Sequence, residues 1–299
     1  MNNEKGNVSI LLVLVITFLL GMTALVVDIG LILVEQQKLS DALDSAALAG
    51  SQDLVNNPEK AKTIAIQYAS LNGVNNPEVI INENTKEITV NGQKYVAFYF
   101  AKTFGLDGKT ITGTAKAMVK PISSGTGFVP LGVVQHDFQY GKLYKLKYSS
   151  LDSENGNFGA LALGGTGASI YKDNIMTGYQ GELAIGTTVK TETGNMSGPT
   201  QSGIEYRLSL DSGSYLCDSY LTAEKGCNRV IYLPVIDGLN IDGRDEVTIV
   251  GFAAFYVENV SGNGNESFID GRFIESVFPG DWGDDTVSDY GVYAAKLIY

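Results

Sequence analysis

Val8-Ser9-Ile10-Leu11-Leu12-Val13-Leu14-Val15-Ile16-Thr17-Phe18-Leu19-Leu20-Gly21-Met22-Thr23-Ala24-Leu25-Val26-Val27 runs without a charged side chain. An α-helix rises about 1.5 Å per residue, so roughly 20 apolar residues cover the ~30 Å hydrocarbon core of a bilayer. A cleaved secretory signal has a shorter apolar core, roughly 7–15 residues, closely followed by a small-x-small site. Here apolar character resumes after Asp28 with Ile29, Leu31, Ile32, Leu33 and Val34, and the small-x-small string Ala47-Leu48-Ala49 lies far beyond the core. The stretch therefore reads as an uncleaved transmembrane anchor. Lys5 precedes it, whereas Asp28, Glu35, Asp41, Asp44 and Asp53 follow with Lys38 as the cation among them. The positive-inside bias then points to a cytoplasmic N-terminus and an extracytoplasmic bulk.

Composition suits that location. The chain has 299 residues, with 33 acidic against 21 basic side chains. An acidic surface repels phosphate backbones, so no nucleic-acid partner is expected. Gly numbers 35, Tyr 16 and Phe 12, a mixture suited to a β-rich, turn-rich domain. Cys217 and Cys227 are the two cysteines. Outside the cytosol their spacing suggests a local disulfide; reduced, unrelated thiols are the alternative. A zinc site is disfavoured, since the sole histidine, His136, is distant in sequence.

Beyond the anchor, Leu39, Ala42, Leu43, Ala46, Ala47, Ala49, Gly50 and Leu54 recur at helical spacing. They predict an amphipathic extension of the helix, its small-residue face packing either on a partner helix or on the chain's own domain. Asn56-Asn57-Pro58 breaks the chain, and Pro58 opens a helix that runs to Gly73. Strands are expected at residues 78–82, 86–91, 95–104 and 110–120, the third covered on both faces. Asn91-Gly92 and Asp107-Gly108 are placed between them as hairpin turns. Residues 122–127 read as a linker. After Phe128 the pattern is β throughout, with strands at 142–148, 159–163, 231–236 and 246–257 and one short helix at 169–178. The expected fold class is α+β. A transmembrane helix with an amphipathic extension (1–56) is followed by a small α/β membrane-proximal module (57–121) and a larger β-rich domain (128–299).

Glu4-Lys5-Gly6-Asn7-Val8-Ser9, the apolar run, Ala24-Leu25-Val26-Val27-Asp28-Ile29-Gly30 and Lys38-Leu39-Ser40-Asp41-Ala42-Leu43-Asp44-Ser45-Ala46-Ala47-Leu48-Ala49-Gly50 together resemble the N-terminal motif of TadG-like proteins of the Flp (Tad) pilus assembly system. Asp28 matches the motif's acid after two aliphatics, Gly30 its glycine, and Asp44 to Ala49 its alanine-rich stretch. Thr103-Phe104-Gly105 and Thr114-Ala115-Lys116-Ala117-Met118-Val119-Lys120-Pro121 are similar to the end of the membrane-proximal module in such proteins. The resemblance implies a single-pass component of a Flp/Tad-type pilus assembly or secretion machine, acting through structure and interaction. Its partners would be membrane lipid and other pilus-assembly membrane proteins or pilin subunits. Counting from Gly6, the fifth position holds Leu11 where prepilins carry Glu, so processing as a pilin is not expected. Asp211-Ser212-Gly213-Ser214 lacks the Asp-x-Ser-x-Ser of a von Willebrand factor A metal site.

No enzymatic activity and no cofactor are expected. Gly164-Gly165-Thr166-Gly167-Ala168-Ser169 has no phosphate-binding lysine, and one histidine restricts Ser-His schemes. His136 beside Asp137 is read as polar surface ahead of a general base. Asp281, Asp284 and Asp285 around Trp282 do not fit the Ca²⁺ loop of an EF-hand and read as a solvated acidic turn. Asp28 stands at the outer membrane boundary, where an acid costs less than the ~2.5–3.5 kcal/mol of the midplane. It is either a hydrated interfacial carboxylate or, with Gly30, a contact to a partner helix. The alternative function is a membrane-anchored cell-surface adhesion module for a glycan or protein ligand, with exposed Tyr and Trp282 stacking on sugars.

Overall fold

The computed structural model describes residues 4–148, 157–223, 226–239, 246–263, 266–282 and 286–299. The fold is mixed α+β: a long N-terminal apolar helix, then a β-rich remainder. It divides into two compact units, residues 1–118 with 296–299, and residues 119–295.

In the first unit, α1 (Glu4–Ser51) is one uninterrupted helix with two unlike halves. Its leading half is bare: between Val8 and Val27 the large side chains, such as Leu11, Phe18 and Val26, are exposed. Its trailing half is core. Leu39, Ala42, Leu43, Ala46 and Ala47 are all buried, as is Leu54 in the turn that follows. Against them lies α2 (Pro58–Leu71), which presents Ala61, Ala65 and Ala69 at zero exposure. Alanine on both surfaces lets the two helices approach closely. Asn57 caps α2, its side chain accepting the backbone N–H of Lys60 at 2.9 Å, and Pro58 occupies the first turn. Of the two packings left open for the alanine stripe, the chain's own domain is the one observed.

The same helix half covers an antiparallel sheet of β1 (Glu78–Asn82), β2 (Glu87–Ala97) and β3 (Gly108–Gly125). Here three expectations are corrected. Asn91-Gly92 is not a turn; β2 runs straight through it, with Gly92 paired to Gly113 of β3. These glycines form a bare patch that seats α1. A Cβ on Gly92 would lie 2.8 Å from Leu43 Cδ2 and 2.7 Å from Val74 Cγ1, and one on Gly113 2.9 Å from Leu43 Cδ1. Second, β2 stops at Ala97, and residues 98–107 form a long tip containing the 3-10 turn Ala101–Phe104. Its aromatic residues Tyr99, Phe100 and Phe104 are open to the surroundings instead of covered on both faces. Third, residues 122–125 continue β3 with Ile122 buried, so the expected linker is ladder. The helical extension expected to belong with the anchor (1–56) is likewise part of the compact unit, because its apolar stripe is buried there.

The second unit contains β4 (Leu131–Val134), β5 (Leu143–Tyr148), β6 (Asn157–Ala160), α3 (Ala168–Thr177), β7 (Leu183–Ala184), β8 (Thr188–Lys190), α4 (Ser197–Leu210), β9 (Val230–Ile236), β10 (Glu246–Asn263), β11 (Glu266–Ile274), β12 (Ser276–Val277), β13 (Gly280–Trp282) and the start of β14 (Val292–Ile298), whose residues from 296 on belong to the first unit. Strands β11, β5, β6, β4, β9 and β10 pair in that order, and β10 pairs again with β11. Among the described residues the ladder therefore closes into a ring of six strands, to which β8 is added by pairing with the start of β10. Two of its pairings, β5 with β6 and β4 with β9, are parallel. Phe158, Phe255, Phe273, Ile231, Leu233 and Ile269 belong to one buried cluster, joined by Tyr171 and Ile175 of α3 and Ile204 of α4. A second cluster centres on Phe128 stacked on Phe252, ring centroids 4.1 Å apart. The unit is not all-β. Helix α4 is an addition to the expected elements.

Candidate functional site

Asp28 lies at the foot of the bare half of α1, and it is buried at 4 % exposure among neighbours that are mostly open. The burial comes from the tip of the β2–β3 hairpin. The hairpin runs alongside α1 toward its N-terminus, held in sequence by contacts at successive helix positions. Leu39 and Leu43 sit on the Gly92–Gly113 pair. Gln36 Nε2 donates to Thr112 O at 3.0 Å, and Lys94 Nζ is 2.6 Å from Glu35 Oε2. At the tip, three consecutive backbone N–H groups turn onto Asp28. Tyr99 N donates to Oδ1 at 2.8 Å, Phe100 N to Oδ2 at 3.1 Å and Ala101 N to Oδ2 at 2.7 Å. Ala101 opens the 3-10 turn, so the carboxylate meets donors that a short helical turn leaves without intrahelical partners. Both oxygens are engaged, and the buried carboxylate is solvated by peptide instead of water.

Neither sequence reading of Asp28 included this arrangement, in which its partner is its own chain 71–73 residues on. The signal in the sequence was the acid itself. Its donors carry no side-chain signature, because any residue supplies a backbone N–H. Gly30, grouped with Asp28 in the sequence reading, has open space around it: a Cβ there would meet nothing within 4 Å. The packing of this chain gives no reason for glycine at that position.

Cys217 and Cys227 are bonded, with Cα atoms 5.5 Å apart. They form a small buried cluster with Val230 and Tyr256, and Tyr256 Oη donates to Cys217 O at 2.8 Å. The loop is fastened by another buried aspartate. Asp211 Oδ1 accepts from Asn228 N at 3.0 Å, and Oδ2 accepts from Arg229 N at 2.8 Å. Beside the disulfide lies a recess of about 370 Å³ lined by Asp218, Ser219, Tyr220, Arg229, Tyr256 and Glu258. Arg207, which donates to Ile175 O and Asn228 O, is held to a pKa of about 10 chiefly by burial.

The remaining candidates have packing roles. His136 Nδ1 is 2.9 Å from Val134 O and its ring packs edge-on to Phe138, so it is not simply polar surface. Trp282 Nε1 donates to Ala294 O at 2.7 Å while Lys120 Nζ sits 5.6 Å from its ring, and its face is not laid open as a sugar platform. Asp281 pairs in β13, whereas Asp284 and Asp285 lie outside the described residues.

The geometry defines a class: one N-terminal helix fit to be a single-pass membrane anchor, built at its far end into an α+β unit. Residues 6–53, nearly all of α1 and the turn that follows, match the family model described as "Putative Flp pilus-assembly TadE/G-like". No curated protein and no solved structure matches the chain.

Proposed function

We propose that this chain is a single-pass, non-enzymatic component of a Flp/Tad-type pilus assembly or secretion machine. It acts by structure and contact, with its N-terminus cytoplasmic and the chain that follows the span extracytoplasmic. The observation that carries the reading is the coincidence of the family match at residues 6–53 with a continuous helix whose leading half exposes its large apolar side chains. A helix of this kind needs lipid or other helices around it. Gly30 supports contact with another helix: interior glycine weakens a helix by roughly 0.5–1 kcal/mol relative to alanine, and here no neighbour in the chain requires it. The Cys217–Cys227 bond suits an oxidising compartment, hence an extracytoplasmic C-terminal unit.

Photocrosslinking from Gly30 and its helical neighbours, followed by purification from solubilised membranes of cells that assemble the pilus, tests this reading. Crosslinks to pilus-assembly membrane proteins or pilin subunits are expected. A chain that crosslinks to none of them under those conditions contradicts it.

A further inference from the structure

We propose that the tip of the β2–β3 hairpin, residues 98–106, is a second membrane contact: an interfacial loop that dips into the bilayer beside α1. The proposal rests on the reading that the leading half of α1 spans the membrane.

Asp28 fixes where the tip sits. Residues 8–27 fill about 30 Å of hydrocarbon, so the carboxylate lies at the boundary of the apolar core. Three tip N–H groups are bonded to it, and the tip therefore shares its depth. At that depth the tip exposes Tyr99 at 74 %, Phe104 at 82 %, Leu106 at 59 % and Phe100 at 47 %. On α1 the exposed apolar surface continues past Asp28 through Ile29, Leu33 and Val34, and the charged pair of Glu35 with Lys94 begins only after it. Helix and tip thus present neighbouring apolar surfaces, bounded on the hairpin by the exposed Asp107 and Lys109 and on the helix by the pair of Glu35 with Lys94. Aromatic side chains concentrate at membrane–water interfaces, where an apolar body and a polar tip are both accommodated.

Backbone and charge fit the same position. Apolar surroundings penalise unpaired peptide groups. Here Tyr99, Phe100 and Ala101 donate to Asp28, Phe98 N donates to Asp107 O, and the N–H groups of Thr103, Gly105 and Leu106 find carbonyls within the turn. Residues 98–106 of the tip contain no acidic side chain and one cation, Lys102, whose long stem lets its ammonium reach the headgroups; the exposed Asp107 closes the tip at its junction with β3. A water-facing hairpin tip has no need of this combination.

The test uses the full-length chain in phosphatidylcholine nanodiscs, with the native disulfide intact. Single cysteines replace Phe104, Leu106, Asn84 or Leu19 and carry a nitroxide. Asn84 lies in the exposed β1–β2 turn and Leu19 at mid-span. Accessibility to oxygen and to an aqueous nickel chelate is then read by power saturation. The oxygen-to-nickel ratio at Phe104→Cys and Leu106→Cys is expected to exceed that at Asn84→Cys severalfold, placing both within ~5–10 Å of the headgroup–acyl boundary. Nickel accessibility at both tip positions equal to that at Asn84→Cys, with Leu19→Cys protected, overturns the loop contact alone; the exposed aromatics would then await a protein. Nickel accessibility at Leu19→Cys as well overturns the anchor on which the proposal rests.

Discussion

Asp28 links the membrane helix to the hairpin, and its effect is local and directional. Removing the carboxylate leaves the N–H groups of Tyr99, Phe100 and Ala101 without acceptors. In Asp28→Ala, amide exchange at these three positions is expected to accelerate strongly in lipid-embedded protein, while exchange in β1 stays unchanged. Asp28→Asn keeps one acceptor oxygen and should show an intermediate effect. Unchanged exchange in Asp28→Ala would mean the tip is held by something else. Gly92 is the second telling residue. Gly92→Val drives side-chain atoms into Leu43 and Val74, and overpacking of this kind costs about 1–3 kcal/mol. A lowered thermal midpoint of the first unit checks it. Asp28 was legible as an acid in an unusual place, but its partners were not, because they are backbone groups a long way along the chain. Gly92 was misleading: Asn-Gly is a strong hairpin signal, and the close approach of Leu43 and Val74 explains a glycine in mid-strand.

Among the elements, α1 was the most legible. Its apolar run, its alanine stripe and the Pro58 break all appear in place. The hairpin was read as strands but with its tip as one, since alternating aromatics look the same on a strand and on an exposed turn. Helix α4 escaped notice because Gly198, Pro199, Gly203 and three serines give it little helical propensity. Tertiary packing forms it instead. A Cβ on Gly203 would lie 2.7 Å from Ile175 Cγ2, so glycine allows α3 and α4 to cross closely. Gly203→Val should therefore lower the urea midpoint of the second unit, by the same mechanism as Gly92→Val in the first. Gly30→Ala should do the opposite to the isolated chain and stabilise α1 by roughly 0.5–1 kcal/mol. If Gly30 meets a partner helix, that same substitution weakens crosslinking to it. Unaltered crosslinking would remove Gly30 from the interface.

At the scale of the molecule, the α+β class and the β-rich second half could be read from composition and turn spacing. The closed ring of strands could not. Its order β11-β5-β6-β4-β9-β10 depends on β11–β5 and β4–β9, which join strands far apart in sequence, and its two parallel pairings leave no hairpin signature. The disulfide closes a loop with a sequence separation of 10, which in the chain-entropy model stabilises by about 2–3 kcal/mol. The Cys217→Ser, Cys227→Ser double variant should lose that amount in urea denaturation, and adding reductant to it should change nothing further. The account as a whole depends on residues 8–27 remaining in the bilayer. The most direct measurement is the intact mass of the chain recovered from carbonate-washed membranes of expressing cells. The expected result is a membrane-pelleted chain that retains residues 8–27; a carbonate-soluble chain whose mass shows those residues removed would contradict it.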